Sequence, residues 1–184
     1  IDVSIGKLSA DALGVASQNG VTSSATSSAL QNGELTINGV SVGATRASDD
    51  SASTASANTS AIAKAAAINR VSDESGVTAV VDTNVAAGSS MTAADATGSV
   101  TINGTTISID TSADAATTRA SVVAAINAES DLTGVTAVDT GDDNLGVTLE
   151  AADGRNIALS FTTLTAANTG LAAAGTYTGG VTLV

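Results

Sequence analysis

The residues that could carry chemistry are few in kind. The 184-residue sequence has no cysteine and no histidine. Disulfides, thiolate catalysis and Cys-ligated zinc are therefore excluded, and the usual general base and commonest metal ligand is missing too. Serine is plentiful, but a serine nucleophile needs a base to take its proton, and no His or Cys is present to form the usual pairs. Lys7 and Lys64 are the only lysines, and Lys64 is predicted on the solvated face of a helix. No G-x-x-x-x-G-K-[ST] phosphate loop occurs. Acidic residues are numerous enough to supply a carboxylate pair for glycoside hydrolysis. One Phe, one Tyr and no Trp, however, leave almost nothing to wall a sugar-binding cleft. No catalytic or cofactor-binding residue is assigned, and the chain is not read as an enzyme.

Oxygen chemistry is the remaining candidate. The run DTGDDN places Asp139, Asp142 and Asp143 close together, as oxygen ligands for Ca²⁺ could be. It lacks the regular spacing of a calcium loop and reads as a solvated turn; Asp49-Asp50 is a weaker version of the same feature. No metal ligand is assigned. Two sequons occur, Asn58-Thr59-Ser60 and Asn103-Gly104-Thr105. The second asparagine is already required by a turn, which explains it without a glycan.

Charge narrows the partners. The formal net charge is −12 with a pI near 4.1. Binding a phosphate backbone needs clustered Lys and Arg, and only six such residues are scattered along the chain. Nucleic acid and anionic membrane surfaces are disfavoured together. No segment approaches the roughly 18 consecutive apolar residues of a membrane span. With so few aromatic residues, Val, Ile, Leu and Ala must supply the core. Each Ala buries little surface, which predicts small, thin subdomains. The chain begins at Ile1 without Met or a signal-peptide layout, and is expected to be an interior piece of a longer protein.

The elements that would position any site are organised as a repeat. LTINGVSV (Leu35–Val42) returns as VTINGTTI (Val100–Ile107). Each is followed by an Ala-rich stretch ending Ile-Asn, at Asn69 and Asn127, and then by Gly-Val-Thr-Ala-Val from Gly76 and Gly134. The turn asparagines Asn38 and Asn103 are 65 positions apart, but Asn69 and Asn127, like Gly76 and Gly134, are 58 apart. The seven extra residues of the first copy fall in the polar stretch Ala44–Thr59. Asn-Gly between apolar alternations predicts a type I′ hairpin, because that turn needs positive φ at both central residues. Ile37 then faces Val40 and Leu35 faces Val42, with Thr36 and Ser41 on the opposite face. Asp114 is placed to cap a helix carrying Val122, Val123 and Ile126 at helical spacing. Ile62, Ala65, Ala66 and Ile68 form a smaller stripe in the first copy.

Each unit thus reads as hairpin, helix, strand, an α+β arrangement of small antiparallel subdomains with short covering helices. The organisation expected is an entry segment 1–31, a first unit 32–84, a link 85–98, and a second unit 99–184 with terminal hairpins. In the entry segment, LSADALGVAS is expected to form a short helix and the Ser/Thr-rich run after it a loop. Gly146–Phe161 reads as a further hairpin turning at Asp153-Gly154.

A strand-ING-strand hairpin, an Ala-rich helix ending Ile-Asn and then Gly-Val-Thr-Ala together resemble the IN motif of bacterial flagellins. Both copies, Leu35–Val80 and Val100–Val138, carry the pattern. The Asp153-Gly154-Arg155-Asn156 turn and TYTGGVTL (Thr176–Leu183) also resemble the variable central part of that family. The resemblance implies the outer, surface-exposed region of an extracellular flagellar filament subunit, involved in motility and presented as antigen. It implies neighbouring flagellin subunits as partners, through terminal segments absent from this chain, and host antibodies. The fragment is then expected to be monomeric. O-linked sugars, carried by some members, would have Thr22–Ser28 and Ser51–Ser60 as candidate carriers. Hook-associated and filament-cap proteins use the same motif and give the alternative, a domain with an adhesive or binding role.

Overall fold

The computed structural model describes residues 20–184; the predicted helix at LSADALGVAS lies outside them. In chain order the elements are β1 (Val21–Thr22), β2 (Thr36–Ile37), β3 (Val40–Ser41), α1 (Ala61–Asn69), α2 (Ser72–Ser75), β4 (Ala79–Val81) and β5 (Asn84–Ala86). They continue as β6 (Ala96–Ile102), β7 (Thr105–Thr111), α3 (Ala115–Ala128), α4 (Ser130–Thr133), β8 (Thr136–Asp139), β9 (Val147–Ala151), β10 (Ile157–Thr162), α5 (Ala166–Thr169), β11 (Gly175–Tyr177) and β12 (Val181–Leu183). The strands form four antiparallel sheets, ordered β1-β12-β4, β2-β3, β5-β9-β8 and β11-β10-β6-β7. The fold is α+β and rich in antiparallel strands.

Both hairpins close as the sequence requires. Asn38 and Gly39 have φ of 49° and 83°, and Asn103 and Gly104 have 50° and 87°. Only Asn, Asp and Gly visit this region readily. The registers Ile37↔Val40, Ile102↔Thr105 and Val100↔Ile107 follow from the two-residue loops. Ile37 and Val42 are buried while Thr36 and Ser41 face solvent, so alternation and register agree.

The buried apolar residues fall into two clusters. The larger packs Val122 and Ile126 of α3 against Val100, Ile102, Ile107 and Ile109 of one sheet and Val147 and Leu149 of another. The smaller gathers Ile37, Val42, Ile68 and Val181 around four alanines of α1 and β4. The aromatic residues Phe161 and Tyr177 only rim the larger cluster. In α3 the buried residues are Thr118, Arg119, Val122 and Ile126, and Val123 is half-buried. In α1 the predicted stripe is incomplete. Ala65 and Ile68 are buried and Ile62 and Ala66 only half-buried, but Ala61, Ala63, Lys64 and Ala67 are buried as well. This helix packs against β4 and β12 and also against the insertion, whose 3₁₀ turns at Ala47–Asp49 and Ala57–Thr59 touch it. Its small side chains allow close approach from more than one direction.

Three connections differ from expectation. Gly146–Phe161 is not a hairpin: β9 pairs with β5 and β8, whereas β10 pairs with β6 and β11. Of its alternating apolar positions, Val147, Leu149, Ile157 and Leu159 are buried and Phe161 is half-buried. The Asp153-Gly154 turn instead carries the chain from one sheet to another. The expected link 85–98 begins inside β5 and ends inside β6. The last strand, β12, pairs with β4 and β1 of the first unit, although the sequence groups it with the second. Pairing partners so distant in sequence leave no local signal.

Candidate functional site

The repeated asparagines are the best-defined polar feature of the molecule. In the first unit Asn38 Nδ2 donates to the Ser75 carbonyl at 2.8 Å. In the second, Asn103 Nδ2 donates to the Thr133 carbonyl at 2.9 Å. Each turn asparagine thereby ties its hairpin to the end of the short helix α2 or α4. Each of these helices ends in a left-handed glycine, Gly76 at φ 70° and Gly134 at φ 68°, where a side chain would be strained. Sequence reading passed over α2 and α4, although Ser-Asp-x-x-Gly at 72–76 and 130–134 marks both.

The helix-ending asparagines do more than stop a helix. Asn69 accepts from the Ala79 N–H at 2.7 Å and donates to the Ala79 carbonyl at 3.0 Å. Asn127 does the same to Ala137, at 2.7 and 3.0 Å. β4 and β8 are edge strands of their sheets. In each, one side-chain amide takes the place of a neighbouring strand and satisfies both outward groups of one residue. Unpaired edges invite pairing with other chains, so the clamp also blunts the edge. Two further bonds repeat: Ser72 Oγ to the Asn69 carbonyl and Ser130 Oγ to the Asn127 carbonyl, both at 2.9 Å.

The acidic run is occupied from within. Arg119 Nε donates to Asp139 at 2.7 Å, and its Nη1 pairs with Asp143. The arginine side chain is buried on α3 while both carboxylates are more exposed. Hydrogen bonding to Asp139 raises the guanidinium pKa further. The Gly141 N–H, and then Arg119, hold the Asp139 carboxyl below the usual range. Asp142 accepts from Asn144 instead. The run is an ion-paired turn that caps a buried cation.

Lys64 departs from expectation. It is 7% exposed, and its ammonium donates to the Thr26 carbonyl and, at 2.8 Å, to Thr26 Oγ1. Burial pushes its pKa down. It borders an apolar pocket of about 190 Å³ with Leu30, Leu35 and Ile68. The side chain is not solvated, because the segment around Thr26 lies over its ammonium. Lys7 lies outside the described residues. A second, more open groove of about 410 Å³ runs between Thr54-Ala55 and the sheet residues Thr101, Ser160 and Thr176, with no titratable side chain in its lining.

The modification candidates separate cleanly. Asn103 is 5% exposed with its amide committed to Thr133 and to the Ala158 N–H, which leaves no room for a glycan. Asn58 is exposed. Residues 22–28 are exposed throughout, but Ser60 is buried as the α1 N-cap, accepting from the Ala63 N–H. Asp114 caps α3 in the same way, accepting from the Thr117 N–H at 2.7 Å. Asp49 pairs with Arg70 at 2.8 Å, and that hydrogen bond lowers its pKa.

Comparison with protein families finds the flagellin hook IN motif at residues 99–151, which spans the second unit from β6 through β9. The match covers less than half of the chain. Among curated proteins no match is found.

Proposed function

We propose that this chain is a structural, outward-facing part of a bacterial flagellar filament subunit, extracellular, serving motility and presented as antigen. The observation that carries the reading is the motif at 99–151 together with a second copy that repeats the Nδ2 bond of its turn asparagine and the clamp of its helix-ending asparagine. Side chains that elsewhere form sites are spent here on closing turns, capping helices and covering sheet edges. Thr22–Ser28, exposed throughout, and the exposed residues Ser51, Thr54, Ser56 and Asn58 of Ser51–Ser60 are the surfaces offered to antibodies and, at their hydroxyls, to O-linked sugars. Neighbouring subunits are engaged through segments outside this chain, and the isolated fragment is monomeric.

The motif's description names the hook as well as flagellin, which supports a second reading as a domain of a hook-associated or filament-cap protein. Immunogold electron microscopy with antibody raised against residues 20–184 separates the two. Label along the whole filament supports the filament subunit. Label confined to the hook junction or the tip selects the second reading, and absence of label from the flagellum defeats both.

A further inference from the structure

Asparagine followed by glycine is the pair whose side-chain amide is most open to attack by its own backbone, because glycine has no Cβ to shield the peptide nitrogen. The described residues hold this pair three times, at Asn32-Gly33, Asn38-Gly39 and Asn103-Gly104. In the reaction the glycine nitrogen bonds to the asparagine Cγ, and the Cγ–Nδ2 bond breaks. Nδ2 leaves as ammonia, taking the proton that the glycine nitrogen gives up, and a cyclic succinimide remains. Water then opens the ring, at the Cγ–N bond to give aspartate or at the original peptide bond to give isoaspartate. Water is the only co-reactant.

The fold protects two of the three pairs. At Asn32 the attacking atom is engaged: the Gly33 N–H donates to the Val42 carbonyl at 3.0 Å, and Asn32 Oδ1 accepts from the Ala44 N–H at 2.8 Å. At Asn103 the attacked group is engaged. The residue is buried, its Nδ2 donates to the Thr133 carbonyl, and its Oδ1 accepts from the Ala158 N–H at 2.9 Å. Turning that amide toward Gly104 gives up both bonds, inside a four-stranded sheet. The related Asp153-Gly154 pair is closed as well, since the Gly154 N–H donates to the Ala151 carbonyl at 3.0 Å.

Asn38 has neither protection. It is exposed, and a single bond, from Nδ2 to the Ser75 carbonyl, holds its side chain. Among the described residues its Oδ1 accepts no hydrogen bond and the Gly39 N–H donates none. β2 and β3 are two residues long and form a sheet by themselves. A lone hairpin is marginal in water, so this turn opens readily. We propose that Asn38 is a spontaneous modification site, converted through a succinimide with Gly39 to aspartate and isoaspartate, and that conversion releases the first hairpin from α2. Aspartate tolerates the turn's positive φ, but it sets a carboxylate oxygen against the Ser75 carbonyl where a donor stood. Isoaspartate adds a backbone atom to a loop whose length fixes the Ile37↔Val40 register. Loss of ammonia makes the change irreversible. The inference does not depend on the flagellar reading.

Incubating the folded chain in mildly alkaline buffer, with tandem mass spectrometry of its peptides over time, tests it. Asn38 should convert at least about tenfold faster than Asn32 or Asn103, because opening the margin of a fold needs far less free energy than opening its core. In urea all three should convert at similar rates, being the same dipeptide. Equal rates in the folded chain, or Asn32 or Asn103 converting first, overturn the proposal. So does an Asn38 that stays intact in the folded chain while the unfolded chain converts. Asn38→Asp reads the consequence through amide exchange at Val40 and at Thr105, its counterpart in the second hairpin. Faster exchange at Val40 alone is expected, and unchanged protection there refutes the release from α2.

Discussion

In the first unit the Asn-Gly turn closes strands of two residues each, and its asparagine is exposed. In the second the same turn closes strands of seven residues, and Asn103 is buried against β10. Yet the Nδ2 bonds of Asn38 and Asn103, the clamps made by Asn69 and Asn127, and the hydroxyl bonds of Ser72 and Ser130 reach equivalent atoms at nearly equal distances. The wiring is local and travels with the sequence motif. Burial is not local: it depends on which strands arrive from elsewhere, β10 and β9 for the second unit and only β12 for the first. One folding unit can therefore serve as the centre of a core or as its margin.

Core truncation should separate the units most strongly. Ile126→Ala, at a fully buried position packed between two sheets, and Ile68→Ala, at 2% exposure, are each expected to cost about 2–5 kcal/mol. Ile126→Ala should be the larger loss, because the alanine-lined first core has half-buried Leu30, Leu35 and Val71 at its edge that can move inward. Urea unfolding measures both, and equal losses would mean the two cores are equally rigid. Turn substitutions come next. Asn103→Ala removes two side-chain bonds at a left-handed residue and should cost about 2–3 kcal/mol, against about 1 kcal/mol for Asn38→Ala. Asn38→Gly should be close to neutral, since glycine tolerates the turn's φ.

The smallest expected effect concerns acid. Asp139 and Asp49 have pKa values below the usual carboxylate value. Each therefore contributes stability that is present above about pH 3.9 and lost as pH falls through its folded value. Asp139→Asn should flatten the acid limb of the stability profile more than Asp49→Asn, because its partner Arg119 is buried and Arg70 is half-exposed. Added salt should weaken the Asp49 contribution first.

Much of this was legible in sequence wherever the cause is local. The hairpin registers follow from two Asn-Gly pairs and strict alternation, and the α3 cap from Asp114. The sheet partners of β9, β10 and β12 were not legible, because alternation states which face is buried and not which strand lies alongside. Lys64 was misplaced for a related reason: the segment that covers it, around Thr26, is 38 residues away. The acidic run reads in sequence as a solvated turn, and the insertion of Arg119 into it, from 20 residues before Asp139, was not legible there.

The central claim is that the paired Ile-Asn residues are wiring of a repeated scaffold, not the chemistry of a repeated site. Amide hydrogen exchange at Ala79 and Ala137, measured in Asn69→Ala and Asn127→Ala, tests it most directly, because each asparagine bonds one of these edge amides. The expected result is faster exchange at Ala79 in Asn69→Ala alone and at Ala137 in Asn127→Ala alone, with both chains still folded. Protection that stays unchanged at the clamped alanine would contradict it.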